Sequence, residues 1–193
     1  MKSLLLSIFS GYIIGSFPTG YLLVKFFHNK DIRTTGSYST GATNVLRSSG
    51  NKKLALFTLL IDVFKGFIVS ILFSNSKYLY VAIICCLIGH VYPIWLKCQG
   101  GKGVATAAGA LLGVCPQLTL ISAIIWIAVL KLTKISSVAS LSFIGAFLIL
   151  SLLINSSKNL VLLSAIIFVF LCFTHRSNLI RLIRKQENTI NKE

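Results

Sequence analysis

Acidic residues are scarce in this chain. Asp31, Asp62, Glu187 and Glu193 face nineteen lysines and arginines, giving a formal charge of +15 over 193 residues. In a soluble protein that balance would point to nucleic acid. Here only 12% of residues are charged and 55% are hydrophobic, which leaves little chain for a soluble domain. The basic residues sit in short segments between apolar runs. There they suit anionic lipid headgroups, phosphorylated substrates and topology signals, and no nucleic-acid partner is expected. The five cysteines form no C-x-x-C pair and lie mostly in apolar runs. They read as small packing residues rather than disulfides or ligands; no metal site is evident and no cofactor is expected. Residues 1–15 start like a signal peptide, with Lys2 before an apolar run, but lack an A-x-A-like cleavage site. They read as a retained first helix.

What the chain has in quantity is apolar length, with a mean hydropathy of +0.84. Apolar runs fall at about 4–24, 54–73, 79–96, 103–115, 118–130, 135–154 and 159–174. They predict an all-α, polytopic integral membrane helical bundle, a single domain over 1–193. The fourth run is short: at 1.5 Å per residue it reaches roughly 20 Å, against a hydrocarbon core of about 30 Å. The charges decide the count. With the N-terminus outside and seven transmembrane helices, the inner segments hold Lys25, Lys30, Arg33, Arg47, Lys52, Lys53, Lys97, Lys102, Lys131, Lys134, Arg176, Arg181, Arg184, Lys185 and Lys192. That is fifteen, against Lys2, Lys77 and Lys158 outside, with Lys65 inside the second span. Merging the fourth and fifth runs would put Arg176 to Lys192 opposite Lys97 and Lys102. The positive-inside rule therefore favours seven, with a cytoplasmic C-terminus. The short fourth helix must be tilted or shielded, and Ala105, Gly109 and Gly113 give it a small-residue stripe for close packing. Gly11 and Gly15 do the same on the first helix.

Three polar clusters then share the cytoplasmic side. The first is Thr35–Arg47, where Gly36 and Gly41 free the backbone and Ser37, Ser39, Thr40, Thr43, Asn44 and Arg47 supply donors for an anion, phosphate above all. A solvated connection between helices has the same composition. The second is Gly100, Gly101, Lys102 and Gly103, leading directly into the short helix with its exposed N–H groups; Thr106 follows. It is neither a Walker loop nor a dinucleotide fingerprint, because no Ser or Thr follows the lysine and Thr106 replaces the third glycine. A plain turn is its bland alternative. The third is Thr174, His175, Arg176, Ser177 and Asn178 with Arg181, which also fits a basic membrane-edge anchor. Within the spans, Asp62 and Lys65 lie three apart, close enough to neutralise one another. His90 either orients the following glycine loop or touches substrate.

Taken together these segments resemble one family along essentially the whole chain: the bacterial membrane acyl-phosphate:glycerol-3-phosphate acyltransferases, known as PlsY. Gly15 to Leu22 resembles the family's opening G-S-x-P-T-G-Y, and Asp31 to Arg33, Gly36-Ser37 and Gly41 to Arg47 resemble its first motif. Asp62 to Gly66 resembles D-x-x-K-G. Gly89-His90, Pro93 and Lys97 to Thr106 resemble the second motif, and His175 to Leu182 with Glu187 the third. The resemblance implies seven spans, an outside N-terminus and a cytoplasm-facing site in the bacterial cell membrane. It implies transfer of a fatty acyl group from acyl phosphate to the sn-1 hydroxyl of glycerol-3-phosphate, giving lysophosphatidic acid and phosphate in phospholipid biosynthesis. The enzyme that produces acyl phosphate is a candidate partner, and membrane lipid surrounds the chain.

By match, Ser37 and Arg47 take the family's essential serine and arginine. Gly101, Lys102 and Gly103 take its glycerol-phosphate loop, His175 and Asn178 its activity-linked pair, and Glu187 a structural place. The expected catalytic set is Ser37, Arg47, His175 and Asn178. The expected substrate-binding set is Gly36, Gly41, Thr43, Asn44, Gly100, Gly101, Lys102, Gly103 and Arg176, with Asp62, Lys65 and Glu187 structural. Tyr38-Ser39 stand where the family usually has Gly-Asn, and Lys185-Gln186 where it has Gly-Thr. Tyr38 is expected to narrow the first loop. The competing class is a small transporter for phosphorylated metabolites, which glycine-broken helices and a buried ion pair would suit. No internal inverted repeat supports it, and a purely structural scaffold would leave the three clusters unexplained.

Overall fold

A computed structural model of the protein describes residues 3–154 and 156–189; Lys2, Lys192 and Glu193 lie outside the described residues. All regular structure there is helical, with no strand among the described residues. The chain divides into two compact units, Met1–Val114 and Cys115–Glu193.

The first unit opens with α1 (Leu4–Ser16) and α2 (Thr19–His28), which the apolar run 4–24 reads as one helix. The break is at Pro18, whose ring pushes the preceding residue out of the helical region; Phe17 sits at φ −62°, ψ 115°. A 3₁₀ turn at Ile32–Thr34 leads to α3 (Ala42–Ser49), then α4 (Lys52–Phe73), α5 (Leu79–Val91), a second 3₁₀ turn at Ile94–Leu96 and α6 (Val104–Val114). Asn51 caps α4 by accepting the N–H groups of Lys53 and Leu54.

Glycines set the packing of this unit. A Cβ built at Gly11 or Gly15 of α1 would lie 2.4 Å from Ala82 O or 2.0 Å from Cys86 O of α5. On the α4–α6 seam, a Cβ at Gly66 would meet Thr106 O at 1.9 Å, and one at Gly109 would meet Val63 O at 1.8 Å. The stripes on the first and fourth apolar runs thus bring backbones into contact, and Gly66 completes the second seam from the α4 side. A small satellite core of Val24, Ile32, Val45 and Leu54 fastens the segment between α2 and α4 to both helices. Full burial of such a side chain stabilises by about 2 kcal/mol.

The second unit contains α7 (Pro116–Thr133), α8 (Ser136–Leu153), α9 (Lys158–Thr174) and α10 (Arg176–Ile183). Pro116 starts α7, where its missing N–H costs nothing. Phe143, Ile144 and Phe147 of α8 and Leu163, Ile167 and Leu171 of α9 are buried. The Ser151 and Ser164 hydroxyls meet at 3.3 Å between α8 and α9.

Among the described residues, five helical stretches are long and apolar enough to cross a bilayer: Leu4–His28, Lys52–Phe73, Leu79–Leu96, Pro116–Thr133 and Ser136–Leu153. A sixth is added if α9 and α10, bent by 63°, count as one span. Helix α6 has eleven residues and spans about 16 Å, too short to cross alone. Each of the seven apolar runs coincides with a helical stretch, and the architecture is that of an integral membrane helical protein.

Candidate active site

The stretch Thr35–Arg47 is only partly a loop. Gly41 caps α3, so Asn44 and Arg47 stand on a helix. Asn44 is 1% exposed. Its Oδ1 accepts the Ser37 N–H at 2.7 Å. Its Nδ2 faces the carbonyls of Ile32, Thr35 and Ser39 at 3.1, 3.1 and 2.7 Å. One buried amide therefore folds the loop around itself, and the structure gives Asn44 the part of loop organiser. Gly36 is required there: its φ is +61°, and a Cβ would lie 2.2 Å from Asn44 Oδ1. The Ser37 and Ser39 hydroxyls lie 3.2 Å apart. Around Gly41, by contrast, a Cβ would meet nothing within 4 Å. Tyr38 adopts φ +57° and is 69% exposed. The left-handed backbone turns the phenol outward, so Tyr38 does not narrow the loop.

Asp31 and Arg33 anchor the entry to this loop, a role the spacing alone does not reveal. Arg33 Nη2 pairs with Asp31 Oδ2 at 2.7 Å, Nη1 donates to Leu96 O at 3.1 Å, and the guanidinium lies 5.1 Å from the Tyr21 ring centre. The hydrogen bonds from Arg33 hold the Asp31 carboxyl below its usual range, and those to Asp31 raise the guanidinium.

The second cluster meets the first through the backbone: the Thr40 N–H donates to Gly100 O at 3.3 Å. Thr40, a hydroxyl-bearing member of the first stretch, is thus also the link between the two loops. Gly100 and Gly101 donate to Val91 O and His90 O at 3.0 and 3.1 Å, and Gly103 enters α6 at φ +89°. A Cβ at Gly100 would come within 2.2 Å of His90 O. The glycines are therefore demanded by close approach to the end of α5. Asp62 and Lys65 form the expected buried ion pair, with Nζ 2.8 Å from Oδ1.

The third cluster lies in the second unit. His175, 2% exposed, stands at the bend between α9 and α10, and its Nδ1 donates to Leu171 O at 2.8 Å. A neutral His175 then carries its lone pair on Nε2. Asn178 and Arg181 share a face of α10: Asn178 Nδ2 and Arg181 Nε donate to Glu187 at 2.5 and 2.8 Å. Ser137 of α8 donates to the same carboxylate at 3.1 Å. Burial would raise the Glu187 carboxyl, but the bonds from Asn178, Arg181 and Ser137 outweigh it and lower it. Arg176 is exposed, stacked 4.6 Å over Phe173.

The sequence matches the family described as glycerol-3-phosphate acyltransferase over residues 5–185. A glycerol-3-phosphate acyltransferase of Myxococcus xanthus is 41% identical over 182 residues, covering 92% of this chain and 94% of that protein. One from Staphylococcus aureus is 42% identical over 194 residues, covering 93% and 94%. The fold is similar to the crystal structure of PlsY, an integral membrane glycerol 3-phosphate acyltransferase, in its glycerol 3-phosphate form. That match has a TM-score of 0.91, 29% identity and coverage of 97% and 96%. The lysophosphatidic acid form gives 0.88, 27%, 97% and 95%. Sequence and helical architecture agree, and the chain belongs to the PlsY family of integral membrane glycerol-3-phosphate acyltransferases.

Proposed function

We propose that the protein transfers a fatty acyl group from acyl phosphate to the sn-1 hydroxyl of glycerol-3-phosphate, releasing lysophosphatidic acid and inorganic phosphate. The observation that carries the reading is the Thr40–Gly100 hydrogen bond, which joins two phosphate-suited loops. Both substrates carry phosphate, and the donor is a mixed anhydride with a good leaving group, so positioning and charge stabilisation do most of the catalysis.

The sn-1 oxygen attacks the acyl carbonyl carbon. The new ester C–O bond forms as the bond to the phosphate oxygen breaks, and phosphate departs with the electron pair. The hydroxyl proton goes either to the departing phosphate or to His175 Nε2. Ser37, Lys102, Arg47 and the loop amides, including those near Gly36, Gly41 and Thr43, hold phosphate and developing charge. Arg176 adds a cation at the membrane edge. Asn178 acts through the Glu187 clasp and Asn44 through the loop it folds. Asp62, Lys65 and Glu187 support the fold.

The proposal takes 1–193 as one acyltransferase domain with seven spans, the N-terminus outside and the site facing the cytoplasm of a bacterial cell. Contact between the loops around Thr40 and Gly100 supports their lying on one side of the membrane, as that count requires. The acyl chain enters between helices from the bilayer, and the enzyme that produces acyl phosphate is the natural supplier of the donor.

Purified protein given acyl phosphate and glycerol-3-phosphate should form lysophosphatidic acid and phosphate in equal amounts; no lysophosphatidic acid would overturn the proposal. His175→Ala with near wild-type kcat would assign the proton to the phosphate. A stable acyl-serine at Ser37 would rule out direct transfer.

A further inference from the structure

Acyl transfer at the two loops gives no task to a buried polar cluster inside the first unit. Asp62, Lys65, His90 and Thr106 are each at most 6% exposed. Besides Asp62, Lys65 Nζ contacts the carbonyls of Gly15 and Phe17 at 3.2 and 2.9 Å, where Pro18 breaks the first span. Its fourth neighbour is His90 Nδ1 at 3.3 Å. An ammonium only donates, so Nδ1 accepts, and the proton of a neutral ring sits on Nε2. Thr106 Oγ1, 3.1 Å from the same nitrogen, turns its hydroxyl proton toward the same single lone pair, which it shares with Lys65. One edge of the imidazole is thereby held from both α4 and α6.

The other edge lies against the glycine loop. A Cβ on Gly101 would fall 2.1 Å from His90 Nε2, while the His90 carbonyl accepts the Gly101 N–H at 3.1 Å. His90 thus braces Gly101 by ring and backbone together, and Gly101 adjoins Lys102. A buried ion pair by itself contributes little net stability. This one instead spends its donors on a helix break and a histidine that touches the loop.

We propose that Lys65, His90 and Thr106 are positioning residues. Through His90 they set the Gly100–Gly103 loop, and with it Lys102, for the phosphate of glycerol-3-phosphate. The inference rests on reading that loop as the glycerol-phosphate loop.

Lys65 variants would strand Asp62 as a buried charge, so Thr106→Val and His90→Asn are the informative substitutions. Thr106→Val keeps the side-chain shape and removes the hydroxyl that holds Nδ1. His90→Asn keeps an acceptor near the Nδ1 position and removes the ring edge from Gly101. Each should raise the KM for glycerol-3-phosphate about 3- to 10-fold, the worth of one lost hydrogen bond, with the KM for acyl phosphate unchanged. In a Lys102→Ala background the same substitution should add little, because the cycle is coupled. Hydrogen exchange across residues 98–106 should quicken in both variants while α1 keeps its protection. Unchanged exchange, equal shifts in both KM values, or full additivity with Lys102→Ala would each overturn the proposal. If wild-type protein makes no lysophosphatidic acid, the functional reading fails. The exchange measurement then still decides whether the network holds the loop.

Discussion

Tyr38 and Lys185 both hold φ at +57°, where a Cβ crowds the neighbouring carbonyl. At these two positions the resemblance read from the sequence leads one to expect glycine, and this chain departs from it. Lys185 follows α10 and its cap Arg184, with the Gln186 N–H reaching back to Arg181 O at 2.8 Å, a turn that favours glycine. Tyr38→Gly should therefore raise stability by about 1 kcal/mol after glycine's greater unfolded-state freedom is subtracted, and Lys185→Gly by a similar amount. The midpoint of thermal unfolding in detergent checks this; a lower midpoint for either would contradict it. Two other glycines separate fold from ligand. Gly36→Ala strikes Asn44 and should unfold the loop, lowering both stability and activity. Gly41→Ala meets nothing in the protein, so it should leave the melting midpoint unchanged and raise the KM for glycerol-3-phosphate. An unchanged KM would remove Gly41 from the binding set. That Asn44 belonged to a polar, donor-rich stretch was legible from its neighbours. Its direction was not, because an amide that faces a ligand and one that faces three carbonyls look alike in one dimension.

At the scale of elements, the close seams should tolerate no added methyl group. Gly66→Ala or Gly109→Ala forces α4 and α6 apart, at a cost of about 1–3 kcal/mol or more. Gly145→Ala in α8, whose Cβ would sit 3.6 Å from the Phe168 ring, should be neutral or slightly stabilising. Yields of monodisperse protein and melting midpoints compare the three; equal losses would contradict the seams. The Glu187 clasp makes a second prediction. Its carboxyl is lowered by folding from 4.5, so the stability it adds is present above that value. It is lost as pH falls through the lower folded value. Glu187→Ala should remove about 2 kcal/mol at pH 7 and flatten the acid limb of the stability profile. An unchanged acid limb would refute the clasp. The apolar run 103–115 matches α6 closely because charge and glycine bound it on the N-terminal side. The break at Pro18 was hidden because the mostly apolar stretches 4–14 and 21–24 on either side outweigh Ser16, Thr19 and Gly20 in a run read as continuous. Helix α3 was hidden by its composition: Thr43, Asn44, Ser48 and Ser49 favour loops, and burial of Val45 holds the helix instead.

For the whole molecule, the apolar runs carried most of what could be read: an all-helical integral membrane protein. They could not give the division into two compact units, nor the meeting of Thr40 with Gly100, since both depend on contacts between residues far apart in the chain. The identity of the acyl donor decides the reaction, and a comparison of rates with three donors reveals it. Initial rates of lysophosphatidic acid formation from glycerol-3-phosphate should be compared for acyl phosphate, acyl-CoA and acyl carrier protein bearing the same chain. Product and an equal yield of phosphate are expected from acyl phosphate alone. Product from acyl-CoA or acyl carrier protein at a comparable rate, or none from acyl phosphate, would contradict that expectation.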